Sequence, residues 1–230
     1  MDSRTAPAHD LAHATVRSLT LSAMENNVYL VTSKATGAQL LIDAADDAGA
    51  IEDLIRLGAG DAAAPARLEV IATTHRHWDH VRALSALAGS TGAELAAGRD
   101  DAAAIEESES VTVGHRLAHG DTLSVGDLEL SCVHLRGHTP GSIALVLRDR
   151  PAGSPEDAEA ATLVFSGDSF FPGGVGNTGG DASRFAQLYD DVSSRLFDAY
   201  DDAVVLPGHG APTTLAAERP SLPEWRARGW

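Results

Sequence analysis

The sequence predicts an α+β fold in which two sheets pack together with helices outside. Strand-like segments followed by a helix occur twice along the 230 residues, and no linker separates the two halves. Four loops that follow strands carry ligand-type side chains, which places one chemical site at a shared sheet edge. The chain is therefore read as a single domain over residues 1–230.

Each element has its own signal. Residues 13–21, 27–32 and 39–42 read as short strands rich in Val, Leu and Thr. Residues 46–57 read as a helix, with Ile51, Leu54 and Ile55 on one face and Gly58 as its stop. Residues 68–73 form a compact apolar strand. Val81, Leu84 and Ala88 repeat at helical spacing, and Gly89 is the expected end of that helix. In the second half, residues 122–135 and 142–148 read as strands, and the polar stretch 151–160 as an exposed loop. Residues 162–165 read as a buried strand running into Gly167-Asp168. Asp181 is placed to cap a helix whose inner face carries Phe185, Leu188, Tyr189, Val192 and Leu196. Residues 203–206 are the last strand, ending in Pro207-Gly208-His209-Gly210.

Charge and composition exclude several function classes. With 33 acidic residues against 17 Lys and Arg, the formal net charge is -16. Nucleic acid and an anionic membrane surface both require a basic footprint, so neither is an expected partner. No apolar run approaches the ~20 residues that span a bilayer. The segment Met1-Asp2-Ser3-Arg4-Thr5 lacks the pattern of a signal peptide. The single cysteine, Cys132, excludes an intrachain disulfide, and the expected compartment is the cytoplasm. Oligomeric state has no signal in the sequence.

The chemistry is concentrated in Thr74-His75-Arg76-His77-Trp78-Asp79-His80. Three imidazoles and a carboxylate within six residues suit zinc or a similar first-row divalent metal. His75 and His77 leave a strand end, and Asp79 and His80 are read as opening a helix. His138, Asp168 and His209 follow in later loops, each behind a glycine that lets the backbone approach a crowded site. A lone histidine is more often a surface residue than a ligand. Four ligand-bearing loops in order are a different matter, and they point to a binuclear metallohydrolase. His9 and His13 are assigned to a frayed terminus, and His115 and His119 to a polar stretch. His134 and Cys132 are read as structural.

The run His75-Arg76-His77-Trp78-Asp79-His80, with His138, Asp168 and His209, resembles the metallo-β-lactamase superfamily. The resemblance implies a four-layer αββα sandwich with metals at one edge of the sheets. By motif position it implies a first metal on His75, His77 and His138, and a second on Asp79, His80 and His209. Asp168 would bridge them. The cofactors would be two divalent metal ions, zinc first, with iron or manganese as alternatives.

Gly137-His138-Thr139-Pro140-Gly141-Ser142, Ser166-Gly167-Asp168-Ser169, Asn26 and Tyr29 look most like glyoxalase II and its small bacterial relatives. Residues 170–178 and 224–230 resemble actinobacterial members of that group. β-Lactamases with a cysteine-containing second site carry cysteine where Asp168 stands. Flavodiiron proteins carry glutamate where His77 stands, and the superfamily's nucleases need an inserted domain. The implied reaction is hydrolysis of a small-molecule thioester by a metal-bridging hydroxide, with Asp79 and Asp168 as the catalytic carboxylates. Glyoxalase II grips glutathione with a C-terminal helical domain, whereas about twenty residues follow His209 here, so a different thiol carrier is expected. Arg136 stands where proline is usual. Phe170, Phe171 and Asn177 are the expected substrate wall. A lactonase, a mononuclear iron persulfide dioxygenase using His75, His138 and Asp168, and a structural metal-binding protein are the alternatives.

Overall fold

The computed structural model describes residues 7–229. The first sheet begins as an antiparallel meander of β1 (Pro7–Asp10), β2 (Ala14–Leu21), β3 (Asn26–Ser33) and β4 (Ala38–Ile42). It continues in parallel through β5 (Arg67–Thr73), β6 (Glu94–Gly98) and β7 (His115–Leu117). Parallel neighbours need crossovers, and α1 (Ala48–Gly58), α2 (Leu84–Thr91) and α3 (Arg99–Glu109) supply them. The second sheet takes β8 (Thr122–Val125), β9 (Leu128–His134), β10 (Ile143–Asp149) and β11 (Ala161–Gly167) as antiparallel neighbours. After a small hairpin of β12 (Phe170–Phe171) and β13 (Gly174–Val175), α4 (Ala182–Val192) crosses over. β14 (Val204–Pro207) then pairs parallel with β11, and β15 (Thr213–Thr214) closes that edge. Two short helices follow, α5 (Leu215–Glu218) and α6 (Leu222–Arg228).

Strand alternation generates the four layers. On β4, Leu40 and Ile42 face the other sheet, and Leu41 faces α1 and α2. On β10, Leu145 and Leu147 face inward, and Ala144 and Val146 lie under α4. One apolar core thus lies between the sheets and one lies under each helical layer. The result is the expected αββα sandwich. No helix among the described residues is long and apolar enough to cross a membrane.

Four readings need correction. Residues 122–135 are two strands, because Gly126 adopts φ +57 and turns the chain between β8 and β9. The helix after the histidine cluster begins at Leu84 and stops at Gly92, which takes the left-handed conformation that Gly89 does not. Trp78, Asp79 and His80 form a short 3-10 turn of their own. His9 and His13 are not frayed: His9 pairs with Val16 in β1, and the His13 ring bonds Asp149 at 2.8 Å.

Candidate metal centre

The ligand-type loops all leave the same edge of the sandwich. β5 delivers His75 and His77 and then the 3-10 turn with Asp79 and His80. The β9–β10 turn delivers His138, the end of β11 delivers Asp168, and the end of β14 delivers His209. The glycines ahead of them act through space. A Cβ on Gly208 would lie 2.3 Å from Asp168 Oδ1, and one on Gly137 would lie 2.5 Å from the Arg184 carbonyl.

These side chains converge into overlapping groups. His75, His77 and His138 place ligand atoms within 4.8 Å of one another, as do Asp79, His80 and His209. Asp168 lies between the two groups. Its carboxylate is 3.4 Å from the Nε2 atoms of both His80 and His209 and 3.7 Å from His138 Nε2.

Four of the five histidines have their outer nitrogens taken. His80 Nδ1 donates to Asp43 at 2.8 Å, His138 Nδ1 to the Asn177 carbonyl at 2.7 Å, and His209 Nδ1 to the Met24 carbonyl at 2.8 Å. His75 Nδ1 lies 3.1 Å from the Thr74 hydroxyl, which itself donates to Asp43. Each such bond turns the lone pair of the other nitrogen toward the cluster. His80 Nε2 and His209 Nε2 then face each other at 3.1 Å. His138 Nε2 and Asp168 Oδ1 are buried without a hydrogen-bond partner. An orphaned imidazole nitrogen and an orphaned carboxylate oxygen among converging lone pairs call for a cation.

The ionisation of the group says the same. Burial pushes His75 well below the ordinary imidazole range and lowers His77 and His138 as well. Burial opposes charge on His80 too, but Asp43 and Asp168 outweigh it and lift His80 to about 10. Burial would raise Asp168, yet its bonds to His209 and His80 hold it far below the usual carboxylate range. The Asp168 carboxylate raises His209 as well, so without a metal the positive charge facing the carboxylates falls on these imidazoles; a divalent cation would supply it and leave every ring neutral, as ligation requires.

All seven predicted ligand positions are thus brought together; the predicted substrate wall is only partly so. Phe170 points away and is fully buried against Phe197 and Trp225, because alternation along β12 sends it into the core under α4. Phe171 takes the opposite face, its ring centroid 6.5 Å from that of His209. Asn177 holds His138 through its backbone carbonyl, and its side chain accepts from Gly179 N at 2.8 Å in a local turn. His134 donates to the Pro140 carbonyl at 2.7 Å and stays structural. Arg228 donates to the Gly173 carbonyl at 2.8 Å.

Two buried carboxylates escaped sequence reasoning. Asp43 accepts from Thr74 N, Thr74 Oγ1 and His80 Nδ1, each at 2.8 Å. Its position directly after an apolar strand was the available signal. Asp101 is the other. Asn26 also belongs to the site, donating to Asp79 Oδ2 at 3.0 Å and holding that carboxylate below its usual range, together with His80, against the effect of burial.

The chain matches the metallo-beta-lactamase superfamily over residues 22–209 and belongs to it. Members of that superfamily are metallohydrolases. The chain is similar to hydroxyacylglutathione hydrolase GloC of Haemophilus influenzae, 26% identical over 170 residues that cover 68% of this chain and 75% of that protein. It is 31% identical over 183 residues to the hydroxyacylglutathione hydrolase of Jannaschia sp., covering 80% of this chain and 59% of the other. The chain thus spans about three-fifths of the length of that second relative. Among solved structures, ETHE1 from Myxococcus xanthus superposes with a TM-score of 0.72 at 28% identity, covering 92% of this chain and 84% of that one.

Proposed function

We propose that this chain hydrolyses a small-molecule thioester of the hydroxyacyl-thiol type on two divalent metal ions. The observation that carries the reading is the pair of adjoining ligand groups with Asp168 between them, the outer nitrogens of His75, His80, His138 and His209 being hydrogen-bonded elsewhere. His75, His77 and His138 would hold one ion, Asp79, His80 and His209 the other, and Asp168 both. Bound there, such ions supply hydroxide at neutral pH and polarise a carbonyl. Asp79, steadied by Asn26, is the carboxylate placed to take a proton. Phe171 offers an apolar wall beside His209. A thiolate with a free pKa of ~8.5 leaves without a strong general acid, which suits a cluster whose carboxylates are held ionised. The likeness to two hydroxyacylglutathione hydrolases supports this substrate class. The compartment is proposed to be the cytoplasm, and nucleic acid and membrane to be absent as partners.

The likeness to ETHE1 favours a second reading, a mononuclear iron persulfide dioxygenase on His75, His138 and Asp168. A panel of hydroxyacyl thioesters, lactones and persulfides, run with an oxygen electrode and elemental analysis, separates the two. Thioester turnover with no oxygen uptake and two ions per chain is the expected result. Oxygen consumption on persulfide with one iron per chain would replace it, and lactone turnover alone would reassign the substrate.

A further inference from the structure

We infer that Asp101 is the positioning residue for the His75–His77–His138 group, joining two ligand loops from beneath without touching a ligand side chain. The inference rests on the two-group reading of the site.

Asp101 sits in the first turn of α3 and is fully buried. Its Oδ2 accepts from the Thr139 hydroxyl at 2.5 Å and from Arg76 N at 3.1 Å, and its Oδ1 accepts from Gly141 N at 2.9 Å. The Arg76 guanidinium is the nearest countercharge, with Nε 3.7 Å away. Arg76 stands between His75 and His77, and Thr139 follows His138. One carboxylate therefore holds the backbone beside all three ligands. Burying it costs several kcal/mol unless its lone pairs are used, and every donor that uses them belongs to these two loops.

The seat is also closed sterically. A Cβ on Gly141 would lie 2.3 Å from Asp101 N, and one on Gly98 would lie 1.9 Å from the Gly141 carbonyl. Neither position has room for a side chain, so the close approach of the two segments depends on both glycines. Asp43 plays the corresponding part for the second group, bonding His80 directly. Asp43 also reaches His75 through the Thr74 hydroxyl, so it serves both groups, whereas the bonds of Asp101 go only to the loops of the first.

The test is zinc retention by the zinc-loaded enzyme under graded chelator, read as ions per chain. Asp101→Asn puts an amide NH2 against N–H and O–H donors. It should weaken one of the two ions by about 10- to 100-fold and leave the other as in wild type. Thr139→Val removes one bond without touching the charge; it should weaken the same ion less, and Thr139→Ser should restore it. Asp149→Asn, a buried carboxylate at the far end of β10 that bonds His13, controls for loss of stability and should retain both ions. Wild-type retention in Asp101→Asn and Thr139→Val, or equal weakening of both ions, overturns the inference. Fewer than two ions in wild type is a different failure, that of the two-group site itself.

Discussion

Gly208→Ala is a one-carbon change that should disable the centre while sparing the fold. The added Cβ would lie 2.3 Å from Asp168 Oδ1 and 2.8 Å from His80 Cε1. Ordinary carbon–oxygen contact begins more than about 1 Å further out. The Gly208 backbone cannot retreat, since its N–H donates to the Gly167 carbonyl at 2.9 Å and its carbonyl accepts from Asn27 N at 2.8 Å. The displacement falls on the Asp168 carboxylate. A misplacement of about 1 Å at a reacting centre costs on the order of 100-fold in rate, or ~2.7 kcal/mol of transition-state stabilisation. Overpacking adds about 1–3 kcal/mol of destabilisation. Gly210→Ala is the matched control. Gly210 has φ +69 and open space around it, so alanine there meets backbone strain of about 1–2 kcal/mol but no side chain. The assay is kcat/KM on a hydroxyacyl thioester at saturating zinc, with thermal melts in parallel. Gly208→Ala should lose about two orders of magnitude while Gly210→Ala stays within about threefold. Equal loss in both, or wild-type turnover in Gly208→Ala, would refute the steric reasoning.

Three further outcomes are expected. His80→Ala and His209→Ala should each lower metal content toward one ion per chain by elemental analysis; two ions retained in both would remove them from the ligand set. Activity and bound metal should fall together below about pH 6, measured as a rate profile with metal content in parallel. Burial lowers His75, His77 and His138 below the usual imidazole value, so their stabilising contribution is present above about pH 6.5 and is lost as the pH falls. A rate that stays flat to about pH 4.5 with metal retained would contradict this. Arg136→Ala should lower stability by about 1.5–3 kcal/mol with little change in turnover, because the Arg136 guanidinium and backbone N–H grip Asp191 at 2.7–3.0 Å. Burial would raise Asp191, but Arg136 holds it below its usual value, so this contribution is lost as acid protonates the carboxylate. Denaturant melts across pH check it.

The ligand loops were legible because metal chemistry demands particular residue types, and those types stand directly after apolar strands. The stretch 93–117 was not. In α3, Ala102 and Ile105 bury a narrow face among acidic neighbours, too weak a periodicity to announce a helix. The role of Asp101 depends on Arg76 and Thr139, 25 and 38 residues away in sequence. Phe170 and Phe171 show the opposite case: alternation along even a two-residue strand separates core from site, and it was there to be read. Arg136, whose presence had no explanation in sequence, donates its backbone N–H to Asp191, a bond that proline, having no N–H, could not make.

The most direct measurement is anomalous diffraction at the zinc edge from zinc-loaded crystals. Two peaks are expected about 3.5–4 Å apart, one beside His75, His77 and His138 and one beside Asp79, His80 and His209, with the Asp168 carboxylate between them. A single peak at full zinc occupancy would contradict the binuclear centre.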